Sequence, residues 1–401
     1  MKRGAQTLPS GVWVLALVGS WRSHFQSRGG PGRLRIAQVA PSCERCPPQL
    51  YGGTERVVSY LTEELVRQGH EVTLFASGDS QTQARLRPTG QRALRLDPQC
   101  QDRLAHYLVI LHRVLCCEDE FEIIHFHTWY LHFPLCSGRW AQTLTTLHGR
   151  LDGPELIPLL REFQMLPLVS VSDAQRSPVP WANWHGTVYH GVPASLYTAG
   201  PGDGGYLAFI GRISPEKRPD WAIEISRRTG VPLMIAAKVD KADEDYFHNK
   251  VKPLLDNRLV EFIGEIGDGQ KQAVFGDAMA VLFPIDWPEP FGLALIEAIA
   301  CGTPVVAFRR GSVPEVIDHG VTGLIVDDVD EVANMIPAVQ TLDRLAVRRR
   351  FEERFSVERM ALDYHSLYSQ VLCGGAGSEP RRPKWRSEYN SVTKPRRYRR
   401  V

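Results

Sequence analysis

Short apolar runs, many of them β-branched, recur along the chain with helically spaced apolar positions between them. This is the alternation that βαβ units in parallel sheets produce. In the first half the runs are RIAQVA (35–40), EVTLFA (71–76), EIIHFH (122–127), TLTTLH (143–148), LVSVS (168–172) and TVYHG (187–191). In the second half they are YLAFIG (206–211), PLMIAAK (232–238), VEFIGEI (260–266), AVLFPI (280–285), PVVAF (304–308) and TGLIV (322–326). Between the two series, PASLYTAGPGDGG (193–205) is rich in Pro and Gly and reads as a linker. The pattern predicts an α/β protein with two tandem, doubly wound, Rossmann-like sheets facing across a cleft, where a ligand sits beyond the carboxyl ends of the strands. The expected divisions are a first domain over 33–195, a linker over 196–205, a second domain over 206–350, and helices over 351–373 that return to the first domain.

Length supports two domains, since 401 residues exceed one ordinary core. A formal charge of +2 gives no global field to attract nucleic acid, so any anion site is local and no specific nucleic-acid partner is expected. The eight cysteines follow no disulfide spacing, which fits a reducing, cytoplasmic setting. CERC (43–46) is a lone CxxC in Pro-rich surroundings and does not resemble a redox helix. Residues 1–32 hold one apolar run, Val12 to Gly19, far short of the roughly 20 residues that span a bilayer. They are expected to be an extension outside the core, either disordered or from a start assigned too far upstream, because the first core strand begins only near Leu34. The tail over 374–401 is basic, polar and Pro-containing and reads as disordered. It could make a weak peripheral contact with an anionic membrane surface at the inner face.

Three stretches carry candidate chemistry. In YGGTERVVSYLTEELVRQGH (51–70), Gly52 and Gly53 precede a helical stripe of Val57, Val58, Leu61, Leu65 and Val66. Glycines ahead of a helix let backbone N–H groups approach a phosphate, although a plain loop-to-helix turn reads the same way. GRISPEKRPD (211–220) follows the first strand of the second half and supplies Arg212 and Lys217, two cations that can offset a diphosphate without a divalent metal. EPFGLALIEA (289–298) places Pro290 at an expected first helical position and ends before Gly302, so free N–H groups around Phe291, Gly292 and Leu293 face an anion. If most of that interval is helical, Glu289 and Glu297 lie about 12 Å apart along the axis, at ~1.5 Å per residue. That is the scale of a nucleotide-sugar: one carboxylate could accept hydroxyls of the sugar and the other those of the ribose. A glycosidase pair would sit about 5–10 Å apart across one bond.

Taken in order over residues 34–372, these stretches make the chain similar to family 4 retaining glycosyltransferases of the GT-B fold. The glycine loop at 52–53, the Arg/Lys diphosphate clamp in GRISPEK and the E-x7-E motif in EPFGLALIE carry the resemblance. It implies that the first domain binds an acceptor and the second a nucleotide-sugar donor (a UDP-, GDP- or ADP-sugar). Glu289 would hold the donor sugar, Glu297 the ribose, and Arg212, Lys217 and the Gly53 N–H the diphosphate. His148, at the end of its strand, would lie beside the donor sugar. His125 and His127 would be structural or line the acceptor cleft. His190 stands where similar sequences often have Asn, and Glu315 in RRGSVPEVI (309–317) is a secondary candidate near the donor. The D-x-D patterns at Asp243/Asp245 and Asp328/Asp330 read as solvent-facing, so no metal and no cofactor is expected. The implied reaction is hexosyl transfer with retention to a hydroxyl of a glycan, lipid or small metabolite, with the leaving phosphate taking the acceptor's proton. A nucleotide-sugar epimerase of the same fold and a non-catalytic sugar-nucleotide-binding protein are the alternatives; all four clamp and carboxylate residues being present favours the transferase.

Overall fold

The computed structural model describes residues 32–136, 140–255 and 258–374. The expected N-terminal extension, apart from Gly32, and the basic tail from Gly375 onward lie outside the described residues.

The first sheet contains β1 (Arg35–Val39), β2 (Glu71–Ala76), β3 (Arg85–Pro88), β4 (Ile123–Phe126), β5 (Thr143–Thr146), β6 (Leu168–Ser170) and β7 (Trp184–Thr187) in the order β3-β2-β1-β4-β5-β6-β7. The second contains β8 (Leu207–Ile213), β9 (Leu233–Val239), β10 (Val260–Gly264), β11 (Ala280–Phe283), β12 (Val305–Phe308) and β13 (Gly323–Val326) in the order β10-β9-β8-β11-β12-β13. All pairings are parallel. Strand order reverses at β1/β4 in one sheet and at β8/β11 in the other, and such switch points open a crevice at the strands' carboxyl ends. The fold is therefore two Rossmann-like domains of the GT-B type.

Two elements depart from the sequence reading. β3 was not expected: RLRP alternates Arg with apolar positions and ends in Pro, a pattern tolerated only because this strand is an exposed edge. β7 lies at Trp184–Thr187 rather than over 187–191, because the chain leaves the sheet after Thr187 and crosses toward the second domain, bridging Val192 to Ser356.

Helices of eight residues or more are α1 (Gly53–Arg67), α2 (Arg103–Leu115), α3 (Pro219–Thr229), α4 (Asp268–Asp277), α5 (Leu293–Ala300), α6 (Val329–Val339), α7 (Arg344–Arg354) and α8 (Val357–Gly374). The stripe of α1 buries Val57, Val58, Leu61 and Leu65 completely against β1, β2 and α8, and each such side chain contributes about 1.5–3 kcal/mol on leaving water. α7 packs on α5, while α8 packs on α1 and β5 of the first domain. The link between domains is pinned by arginines of α7, with Arg348 donating to the carbonyls of Ala194, Tyr197 and Ala300, and Arg344 to those of Gly200 and Gly276. Among the described residues no helix is long and apolar enough to cross a membrane.

Candidate active site

The two switch points face one another across a cleft of about 540 Å³. From the first domain it is lined by Gly52, Gly53, Thr54 and Glu55 at the start of α1, and by His148 to Arg150 after β5. From the second come Arg212 at the end of β8, Lys217 in the following turn, and the loop after β11 from Ile285 to Ala294. A narrower cavity of about 120 Å³ adjoins it and shares Tyr51, Gly52, Gly53, Ile210, Gly211, Leu293 and Ala294. Arg56, Lys271 and Glu297 line only this second space. Glycine at 52 is a steric requirement, since a Cβ there would stand 2.8 Å from Pro48 Cβ.

The helix reading of EPFG needs correction. α5 begins at Leu293, not at Pro290, because Gly292 adopts a left-handed conformation at φ 84°, which glycine tolerates without a Cβ clash. Glu289 therefore sits on the loop and Glu297 in the helix, so the 12 Å axial separation does not apply. Their partners separate them instead. The Glu289 carboxylate pairs with Lys217 and accepts from Trp287 Nε1 at 2.7 Å in the larger cleft. Glu297, 3 % exposed, accepts from Lys271 Nζ at 2.8 and 3.0 Å in the smaller one.

Cations outnumber acids in the cleft wall. Arg95, Arg150, Arg212 and Lys217 line the larger space against Glu55 and Glu289. Burial pushes the Glu55 carboxyl up to about 7, so near neutral pH one of those two acids is substantially protonated. Lys217 also stands over the Trp287 ring at 4.7 Å, and Arg212 pairs with Glu216 and, at 3.5 Å, Asp243. Asp243 is therefore half-buried rather than solvent-facing, whereas Asp245, Asp328 and Asp330 are exposed, with Asp328 capping α6 and Asp330 pairing with Arg228.

Behind the cleft lies a buried hydrogen-bond chain. Gln38 donates its amide to Tyr368 Oη at 3.0 Å and accepts at its carbonyl from His127 Nε2 at 2.9 Å. With that amide orientation His127 is protonated on Nε2, and its Nδ1 accepts from His148 Nε2 at 2.9 Å. His148 is left with a bare Nδ1, which has no partner among the described residues. Burial pushes His148 down to about 3, so the ring is neutral and that nitrogen can only accept.

The structure brings His148, His190, Gly52, Gly53, Arg212, Lys217, Glu289, Phe291, Gly292 and Leu293 to one cleft, with Glu297 next door. His125 is placed elsewhere: it is fully buried between Tyr368 and Thr146, at 2.9 and 2.8 Å. Glu315 does not line the cleft. Its carboxylate accepts from the backbone N–H groups of Asp173 and Ala174, both at 2.7 Å, and from Tyr189 Oη at 3.1 Å, tying the second domain to the first. Sequence reasoning missed Lys271, Glu55, Arg56 and Trp287. Lys271 carries no local signal, being one polar residue of DGQKQ. Arg56 reads as a solvated helix charge, yet it is 3 % exposed and spans the domains to Asp268.

A family model for glycosyl transferases group 1 matches residues 199–353, and one for glycosyltransferase family 4 matches residues 51–184. The chain is 30 % identical over 251 residues to D-inositol 3-phosphate glycosyltransferase of Mycolicibacterium smegmatis, over 58 % of this chain and 56 % of that one. It thus spans little more than half the length of that relative. It is 33 % identical over 130 residues to N-acetyl-alpha-D-glucosaminyl L-malate synthase of Bacillus anthracis, over 30 % and 33 % of the two chains. Among solved structures, sucrose-phosphate synthase of Thermosynechococcus elongatus superposes with a TM-score of 0.71 at 19 % identity, covering 85 % of this chain and 100 % of that one. HepE of Anabaena, in complex with UDP and glucose, superposes at 0.66 and 20 % identity, covering 84 % and 100 %. At such identities the likeness is one of fold.

Proposed function

The chain belongs to the glycosyltransferases of group 1 and family 4, and from that premise we propose that it transfers a hexosyl unit from a nucleoside-diphosphate sugar to an acceptor hydroxyl with retention at the anomeric carbon. The observation that carries this reading is the cleft's charge and its two ends: four cations and the N-terminus of α5 line the larger space, with one lysine-paired carboxylate in each adjoining space. A dianion is matched there by side chains and helix N–H groups without a divalent ion.

In this mechanism Glu297 and Lys271 hold the ribose, Arg212 and Lys217 the diphosphate, and Glu289 the hydroxyls of the transferred sugar. His148, which borders the same cleft, lies beside the transferred sugar. The bond from the anomeric carbon to the phosphate oxygen breaks, and the acceptor oxygen bonds to the same face. The acceptor's proton passes to the departing phosphate, so the products are a glycoside and a nucleoside diphosphate. Arg212, Lys217 and α5 act where charge grows on the leaving group, which lowers the barrier rather than only the dissociation constant. Contacts that close the domains, Arg56 to Asp268 and the Tyr51 N–H to Glu265 at 2.8 Å, exclude water from that step.

The test is a donor screen across UDP-, GDP- and ADP-sugars, with proton NMR of the product's anomeric signal. One nucleotide series should be consumed and the product should keep the donor's configuration. Inverted product removes the same-face mechanism, and failure to bind any nucleotide-sugar removes the transferase reading.

A further inference from the structure

Next to the donor cleft, and sharing Thr54, His148 and Gly149 with it, a second pocket of about 420 Å³ opens in the first domain. Its wall is Tyr107, Trp129 and Tyr130 with Leu131, and among the described residues no Asp, Glu, Lys or Arg lines it. Its two histidines are neutral, because burial holds both His127 and His148 well below the ordinary imidazole range. An anion entering here would lose its hydration without meeting a cation of the described wall.

Two further features point to a ligand. Trp129 holds a left-handed backbone at φ 63°, a region that bulky residues avoid unless the surroundings enforce it, and such strain clusters at binding sites. Its indole lies against Gly149, where an added Cβ would stand 2.7 Å from the ring. In addition, two buried polar atoms of the wall have no partner among the described residues: Thr128 Oγ1, in a side chain 3 % exposed, and His148 Nδ1. Unsatisfied buried groups are costly, and ligand hydroxyls would satisfy both.

We propose that this pocket is the acceptor subsite and that it takes an uncharged, polyhydroxylated ring, with the Trp129 indole as its stacking platform and Thr128 and His148 as partners for its hydroxyls. The inference rests on the transferase reading for its role, and adds to it the class of acceptor. An aromatic face covers the apolar C–H face of a sugar ring while the ring's edge hydroxyls reach polar groups, which is the arrangement this wall offers. Two relatives are named for inositol 3-phosphate and for malate, both anions, for which the described wall has no counter-charge.

The experiment uses the full chain and two sets of probes: methyl α-glucopyranoside, maltose and cellobiose as neutral rings, and myo-inositol phosphate and malate as anions. Saturation-transfer NMR reads binding without a donor, and release of nucleoside diphosphate reads transfer. Neutral rings should bind and be glycosylated, and the anions should do neither. Trp129→Ala should raise the KM for a neutral acceptor roughly tenfold with little change in kcat, and Thr128→Val, which keeps its volume, should raise it several-fold. Calorimetric affinity for the nucleoside diphosphate serves as the folding control for both variants. Turnover of an anionic acceptor in preference to every neutral one overturns the proposal, as does an unchanged acceptor KM in both variants. A wild-type chain that binds neutral rings by NMR but no nucleotide-sugar would instead overturn the transferase reading and leave the ring site standing.

Discussion

Glu55 provides a test of what burial does to a carboxylate at the cleft. It sits in the first turn of α1 at the cleft, 6 % exposed, with its carboxylate accepting the Glu44 backbone N–H at 3.3 Å. Burial, helped by the neighbouring Glu44 charge, raises it from its ordinary 4.5 to about 7. The folded chain therefore holds this proton more tightly than the unfolded chain. Between those two values the native state binds more protons, so stability falls as pH rises through the window and the full penalty is present above pH 7. At about 1.4 kcal/mol per pH unit, the gap from 4.5 to about 7 makes ionised Glu55 cost roughly 3 kcal/mol at pH 8. Glu55→Gln keeps the acceptor for Glu44 and removes the charge. Urea unfolding at pH 5 should find the two proteins close, whereas at pH 8 the variant should be more stable by roughly 2–3 kcal/mol. Diphosphate affinity should follow, declining between pH 6.5 and 8 in the wild type relative to the variant, because the new anion lines the cleft. A stability difference that stays constant from pH 5 to pH 8 would refute the reasoning.

Other consequences are equally direct. Gly311, at φ 53°, packs so that a Cβ would fall on the backbone N and O of Glu289; Gly311→Ala should displace the donor loop and lower kcat/KM at least tenfold while circular dichroism stays native, and wild-type kinetics would show that the loop position is immaterial. Leu61→Ala, in the fully buried stripe of α1, should cost about 2–5 kcal/mol in urea unfolding, and a loss below 1 kcal/mol would mean that α1 does not anchor the first domain's core. Transfer should persist in EDTA if, as proposed, Arg212 and Lys217 take the diphosphate; activity lost to EDTA and restored by Mg²⁺ would assign a metal to the acidic residues beside Arg212.

Much of this was legible in the sequence, for identifiable reasons. Buried parallel strands such as β8, β11 and β12 are nearly unbroken apolar runs, so they announce themselves. The edge strand β3 does not, because solvent exposure permits Arg at its alternate positions. That Arg212 and Lys217 share one cleft was visible because they are near neighbours on one strand end and its turn. Lys271 and Arg56 were not, since they reach Glu297 and Asp268 from other helices and only tertiary packing makes them neighbours. Glu315 reads from its local context as a helix-start acid; the helix N–H groups it meets belong to the opposite domain. Likewise, nothing in EPFG distinguishes a helix beginning at Pro290 from one beginning after Gly292. That choice was made by a left-handed turn that turns Glu289 toward Lys217 and Trp287.

The central claim is that Glu297 holds the ribose and Glu289 the sugar of one donor. It is tested most directly by calorimetric titration of Glu297→Gln and Glu289→Gln with the free nucleoside diphosphate, alongside steady-state kinetics. A charge-assisted hydrogen bond contributes about 1.5–3 kcal/mol, so Glu297→Gln should weaken diphosphate binding roughly ten- to a hundredfold. Glu289→Gln should not weaken that affinity, since it frees Lys217 from its carboxylate partner, and should lose a similar factor in kcat, because its contacts matter most as charge develops at the anomeric carbon. Equal loss of nucleoside diphosphate affinity in the two variants would contradict the division of the donor between the two spaces.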